Sequence, residues 1–319
     1  MTSFGRGARI IGNGGDDMVE FRNSNQMKAY MKKEAERLDM NIGGVYTTFV
    51  ARNFLEKVSK MSDQEIMIKG SSAEIAYLGR LVRAITDVDL ALFNDFELNA
   101  PLLFRIINSS DGLFKFKLNR SVHRTPTGIY KMSLKGEYGT ISQPLGLDIQ
   151  DNYNRLIEPT TRMMPPIFEG DEPFYIYVPS FEEYLAEKLC IILESKRADV
   201  LNTRVKDFYD IYELHGGEYD YDKLTEYFGK MMRLRAKIRM QDAETLSLNG
   251  NFIQNHLDVW ESACKKYDFV DKEIDLAGAV YYTRAVLREQ LQKNGQEMSD
   301  NIAHQNSYGR KKERKFISR

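Results

Sequence analysis

The chain has 319 residues, 42% hydrophobic and 29% charged, with a formal net charge of −1. That is a globular composition, long enough for two domains or for one core with a sizeable appendage. No run approaches the roughly 18 uninterrupted apolar residues of a membrane helix, and Met1 to Asp17 is Gly-rich and polar, unlike a secretion signal.

Two scattered cysteines, Cys190 and Cys264, suit a reducing compartment and not a disulfide framework, so the cytoplasm is the expected location, with no membrane partner. Charge is unevenly spread. From Gln292 to Arg319 there are seven basic and three acidic residues, a net +4, and Lys230, Arg233, Arg235, Lys237 and Arg239 form a second basic cluster. Both are candidate footprints for a polyanion, with a solvated surface as the plain alternative. His123, His215, His256 and His304 show no metal-ligand spacing.

In chain order, residues 1–23 read as a flexible arm. Asn23, Ser24 and Asn25 offer cap residues before a charged helix from about Gln26 to Leu38. After Gly43 and Gly44, Val45, Phe49, Phe54, Leu55 and Val58 recur at helical spacing. A short strand, Glu65 to Lys69, leads through Gly70-Ser71-Ser72 into a helix from Ala73 to about Leu81, and a second strand runs from Ala84 to Leu92. Strand patterning returns at Leu113–Leu118, Ile129–Lys135 and Leu145–Gln150, with Pro126-Thr127-Gly128 as a turn. Beyond Pro179 nearly everything reads as helix. Strands followed by helices indicate an α+β fold: an arm (1–23), a mixed domain (24–178), a helical domain (179–291) and a basic tail (292–319).

Asp87 and Asp89 flank Val88 in a strand, so their carboxylates share one face. Two carboxylates placed so repel unless solvent screens them or a cation lies between, and Mg²⁺ commonly takes one or two carboxylates plus phosphate oxygens. Upstream, Gly70 lets backbone approach a phosphate closely, and the following helix N-terminus offers N–H groups; the plain alternative is a cap by Ser71 or Ser72. Downstream, Asp148 sits between Leu147 and Ile149, an expensive place for an unpartnered carboxylate. Three carboxylates on adjacent strands beside a phosphate-binding turn is how a phosphoryl-transfer site is assembled.

Ser180 with Glu183 is a capping-box signature, and Phe181, Leu185, Leu189 and Ile192 form the apolar stripe of the helix it starts. Lys188 falls within that stripe, so its ammonium must meet an anion: a bound phosphate, or a protein carboxylate such as Asp207 or Glu187. Asp207 and Asp210 share one helical face, with Arg204 one turn earlier.

With these stretches assembled, the chain resembles the AbiEii/AbiGii nucleotidyltransferase toxin family, to which the MenT toxins also belong. The resemblance rests on Ile68 to Ser72, Arg83 to Leu90, Leu147-Asp148-Ile149, Glu187-Lys188-Leu189 and Thr203 to Tyr212, in order from about Val45 to Leu214. It implies a DNA-polymerase-β-like nucleotidyltransferase fold followed by a helical domain. It further implies Mg²⁺ (or Mn²⁺) on Asp87 and Asp89, an NTP contact from Ser71 and a phosphate contact from Lys188; with the residue reading above, Asp148 joins the expected metal set, and Gly70, Ser72 and Asp210 join the expected nucleotide contacts. Asp207 would be an essential acid of the helical lobe. Family members transfer nucleotides from NTPs, in some cases to tRNA 3′ ends, and are restrained by a cognate antitoxin. Several carry a lysine two positions before the third aspartate, where this chain has Gly146. The rival readings are a catalytically silent nucleotide-binding regulator and a plain RNA-binding module.

Overall fold

The computed structural model describes residues 21–153, 159–197 (side chains to 195), 204–235, 248 and 250–295. The chain forms two compact units: Met1–Phe181 with Glu261–Glu273, and Glu182–Trp260 with Ile274–Arg319. Most of the arm, the tail, and Lys237 and Arg239 of the basic cluster therefore lie outside the described residues. Phe21, within the stretch expected as arm, is buried edge-on against Tyr30, Phe49 and Tyr138.

In the first unit, helix α1 (Ser24–Leu38) starts at Asn23, whose side chain accepts hydrogen bonds from the backbone N–H groups of Asn25 and Gln26. Helix α2 (Ile42–Met61) follows, with Val45, Phe49, Phe54, Leu55 and Val58 all buried as their spacing predicts. Then come β1 (Ile66–Lys69), α3 (Gly70–Leu78), β2 (Asp87–Leu92), α4 (Phe96–Asn108), β3 (Lys115–Arg124), β4 (Tyr130–Tyr138), β5 (Ile141–Gln150), β6 (Thr160–Met164) and β7 (Phe174–Val178). The main sheet has the order β1-β2-β5-β4-β3, with β2 and β5 parallel and the other pairs antiparallel; β6 and β7 make a separate hairpin.

One face of the main sheet is apolar. Ile66, Ile68, Val88, Leu90, Leu92, Leu145, Leu147, Ile149, Met132, Leu134 and Phe116 are buried there, which by the alternation of a strand leaves Asp87, Asp89, Asp148 and Lys131 on the other. Helix α2 packs on the apolar face so closely that a Cβ on Gly136 of β4 would lie 2.8 Å from Val50 Cγ1 and 3.1 Å from the Phe116 ring.

In the second unit, α5 (Phe181–Arg197), α6 (Val205–Glu213), a 3₁₀ turn (Leu214–Gly216), α7 (Tyr221–Leu234), the start of α8 (Gly250–Tyr267) and a helix over 276–295 (α9) supply all the described regular structure. Phe208, Tyr209, Ile211, Phe228 and Leu287 are among its buried core. Strands in one unit and helices in the other make the fold α+β, as the order of patterns predicts.

Candidate active site

The site is built around the β1–α3 turn. Lys69 is the N-cap of α3 in extended conformation and makes no side-chain cap; neither Ser71 nor Ser72 occupies the cap position. The helix starts at Gly70, three residues before the expected Ala73. Gly70 has φ +60°, a left-handed conformation, and a Cβ there would collide with the Asp89 carboxylate, whose Cγ would be 2.8 Å away. Glycine is therefore required twice over, by backbone and by space. Ser71 and Ser72 are both buried in the first turn, and the Ser72 hydroxyl has no hydrogen-bond partner among the described residues.

Strand β2 carries Asp87 and Asp89, both half-buried, while Val88 and Leu90 between and beyond them are fully buried. Asp87 accepts a hydrogen bond of 3.1 Å from the Thr86 hydroxyl. Across the parallel β2–β5 pair Asp89 is in register with Asp148, and Asp87 with Gly146. The structure thus brings Asp87, Asp89 and Asp148 onto one face of adjacent strands, with Gly70 against Asp89. At the β1 end this face is closed by a small apolar cluster of Met67, Ala91 and Tyr153, with Phe93 and Tyr177 against it.

Three residues that sequence reasoning did not single out share the face. Lys69 is in register with Asp89, and its ammonium lies 3.3 Å from Gln150 Oε1 and 4.3 Å from the centre of the Tyr153 ring. Lys131 of β4 is in register with Asp148 and donates to both its oxygens, at 2.8 and 2.6 Å. Ser133 stands opposite Gly146. The alternation of Tyr130 to Lys135 is a signal that could have placed Lys131 and Ser133 on the polar face; cross-strand register is not readable from it.

Lys188, Asp207 and Asp210 gather in the second unit. The Lys188 ammonium donates to Asp207 Oδ1 at 3.0 Å and to Asp210 Oδ2, and lies 5.5 Å from the centre of the Tyr184 ring. All three charged side chains are buried. Burial pushes the Asp207 carboxyl upward, but Lys188, with Lys206 and Arg204 at 3.9 Å, outweighs this and holds it below the ordinary carboxylate range. Of the partners open to Lys188, Asp207 is taken, Asp210 is added, and Glu187 pairs instead with Arg235 at 3.2 Å. Arg235 also binds Glu194, and Lys230 binds Glu226, so two members of the basic cluster are committed to local ion pairs.

Among the described residues, no group of three or more His, Cys, Asp and Glu side chains is gathered closely enough to cage a metal ion. A closed cage is not what a substrate-carried Mg²⁺ requires, since phosphate oxygens and water complete its shell. The donors fit such an ion: hard carboxylate oxygens on one face, with Asp87 and Asp89 half-buried.

A left-handed glycine at a strand–helix turn, two carboxylates on the next strand and a third in register beside them thus stand together in the first unit. The sequence profile of the family described as "Nucleotidyl transferase AbiEii toxin, Type IV TA system" matches residues 76–306 and thus spans Asp87, Asp89, Asp148, Lys188, Asp207 and Asp210. The chain belongs to this family of toxins from type IV toxin–antitoxin systems, and its substrate is accordingly a nucleoside triphosphate.

Among solved structures, JHP933 from Helicobacter pylori shares 15% identity over 83% of this chain and 99% of its own, with a TM-score of 0.46. A putative H. pylori nucleotidyltransferase shares 16% identity over 79% and 96%, with a TM-score of 0.43. An antigenic nucleotidyltransferase-like protein from Paracoccidioides brasiliensis shares 18% over 59% and 89%, with a TM-score of 0.33. No curated protein matches the chain. Among the described residues, no helix is long and apolar enough to cross a membrane.

Proposed function

We propose that the protein transfers a nucleoside monophosphate from an NTP to a hydroxyl of RNA, with a tRNA 3′ end as the acceptor, in the cytoplasm and under the control of a cognate antitoxin. The observation that carries this reading is the register that sets Asp89 beside Asp148, with Asp87 on the same face and Gly70 against Asp89.

Asp87 and Asp89 would hold Mg²⁺ or Mn²⁺, with Asp148 as the third carboxylate. A cation held there would offset the charge that develops on the leaving pyrophosphate. The chain supplies the rest. Gly70 keeps the turn low enough for a triphosphate to approach backbone, and the N-terminus of the nine-residue helix α3 turns its positive end to that anion. Ser72 adds a hydroxyl whose hydrogen bonding the described residues leave unused. Asp148 can accept the proton of the attacking hydroxyl once Lys131 releases one of its oxygens.

Calorimetry with each NTP tests the reading. Binding should require Mg²⁺ and should be lost in Asp87→Asn, which removes charge while nearly keeping volume. NTP binding that ignores both Mg²⁺ and this substitution would remove the carboxylate site from the reaction.

A further inference from the structure

We propose that the polar face of β3 and β4 is the surface on which the acceptor polynucleotide lies, held by its phosphates through Lys115, Lys117, Arg120, Lys131 and Lys135. This rests on the acceptor reading above and adds the place on the fold where the acceptor is held.

The sheet carries two rows of side chains from the carboxylates to its edge. Asp87 is in register with Gly146, Gly146 with Ser133, and Ser133 with Arg120. Asp89 is in register with Asp148, Asp148 with Lys131, and Lys131 with His123. Residues in register project from the same face, and strands lie about 4.8 Å apart, so Arg120 stands roughly 14 Å from Asp87 along one surface. A third row pairs Lys135 with Lys117. Between these residues Met132, Leu134 and Phe116 turn to the buried side. Lys115, Lys117, Arg120, Lys131 and Lys135 are all exposed.

On β3 and β4 five cationic groups share this face with one carboxylate, Glu137, while Asp148, Asp87 and Asp89 lie further along the rows on β5 and β2. Two lysines directly opposite one another are unfavourable in a sheet. Glu137 answers only part of that charge: it accepts from Lys117 at 2.7 Å, and that bond, with the charges of Lys117 and Lys135, holds its carboxyl below the usual range. Among the described residues the side chains of Lys115, Arg120 and Lys135 make no hydrogen bond or ion pair.

Charges on an edge strand also discourage pairing with another chain. That accounts for β3, the edge, but not for Lys131 and Lys135 on the strand inside it. Irregularities in the β3–β4 pairing on both sides of Arg120 accompany its position opposite Ser133, in the Asp87 row. The residues in register on this face include no Phe, Tyr or Trp on which bases could stack, so the surface suits phosphates without reading sequence.

The test uses the full chain carrying Lys115→Gln, Lys117→Gln, Arg120→Gln and Lys135→Gln, with bulk tRNA as the probe between 50 and 200 mM salt. Each phosphate contact contributes roughly 0.7–0.9 to the slope of log Kd against log salt, so the slope should fall by about 3. Over that salt range this is about a sixty-fold smaller loss of affinity. Mg²⁺-dependent NTP binding should stay as in wild type. An unchanged slope overturns the proposal. So does loss of NTP binding with the RNA slope intact, which would assign these cations to the triphosphate. If wild type binds NTP but no RNA, this surface and the acceptor reading both fail while the NTP site stands. If circular dichroism shows that the quadruple variant does not fold, Arg120→Gln alone gives the same comparison, with a slope change of about 0.7–0.9 expected and no change refuting the surface.

Discussion

Gly70→Ala probes the β1–α3 turn through two separable effects. Placing a Cβ at φ +60° costs about 1–2 kcal/mol of backbone strain wherever it occurs. The same Cβ would overlap the Asp89 carboxylate, with Cγ 2.8 Å away, and overpacking of this kind adds about 1–3 kcal/mol. In an Asp89→Ala background the nearest remaining atom is Cβ, 3.1 Å away, which a small shift relieves. Chemical unfolding of wild type, both single variants and the double variant forms a cycle whose coupling should be about 1–3 kcal/mol, since the two residues touch. Gly70→Ala should also weaken Mg²⁺-dependent NTP binding, because Asp89 can no longer stand where it does. Equal costs of Gly70→Ala in both backgrounds would refute the packing of Asp89 on Gly70, and with it the geometry of the site.

Other expectations follow from the same contacts. Lys188→Met should destabilise by about 3–5 kcal/mol by leaving two buried carboxylates facing each other, and adding Asp207→Asn and Asp210→Asn should recover much of the loss in urea unfolding. Asp207 has a depressed carboxyl in the folded state, so its contribution is complete above the unfolded value of about 4 and is lost as pH falls further. Acid titration of stability should therefore be steeper for wild type than for Asp207→Asn below about pH 4. Lys131→Gln removes the ammonium from Asp148 and should tighten Mg²⁺ binding to NTP-free protein severalfold in calorimetry; no change would mean that Asp148 lies outside the cation site. Burial pushes the Cys190 thiol up to about 12, so at pH 8 it should resist iodoacetamide in native protein and react once urea exposes it, as peptide mapping would show.

The carboxylate pair was legible because strand alternation is local: Asp87 and Asp89 must share a face, and Val88 must take the other. Asp207 and Asp210 were legible for the same reason on a helix, and the structure sets both against Lys188. Partner choice was not. A lysine in an apolar stripe demands an anion, but whether Asp207, Asp210, Glu187 or a phosphate answers depends on tertiary packing. Lys131 escaped notice because its link to Asp148 is a cross-strand register, set by how β4 and β5 pair and not by any neighbour in sequence. Helix α4 was hidden by Pro101 inside it, and the β6–β7 hairpin by its short strands. At Gly146 a Cβ would meet only Asp87 Cβ at 3.6 Å, an ordinary contact, so space does not explain the glycine where several relatives carry lysine.

Transfer of a nucleotide to RNA is the proposed work of the Asp87, Asp89 and Asp148 face. Its most direct test is incubation of full-length protein with each α-labelled NTP, Mg²⁺ and total RNA, with Asp87→Asn alongside. Label is expected in RNA of tRNA size for wild type, with none for the variant. Label in RNA from both proteins, or NTP bound but never transferred by wild type, would contradict it.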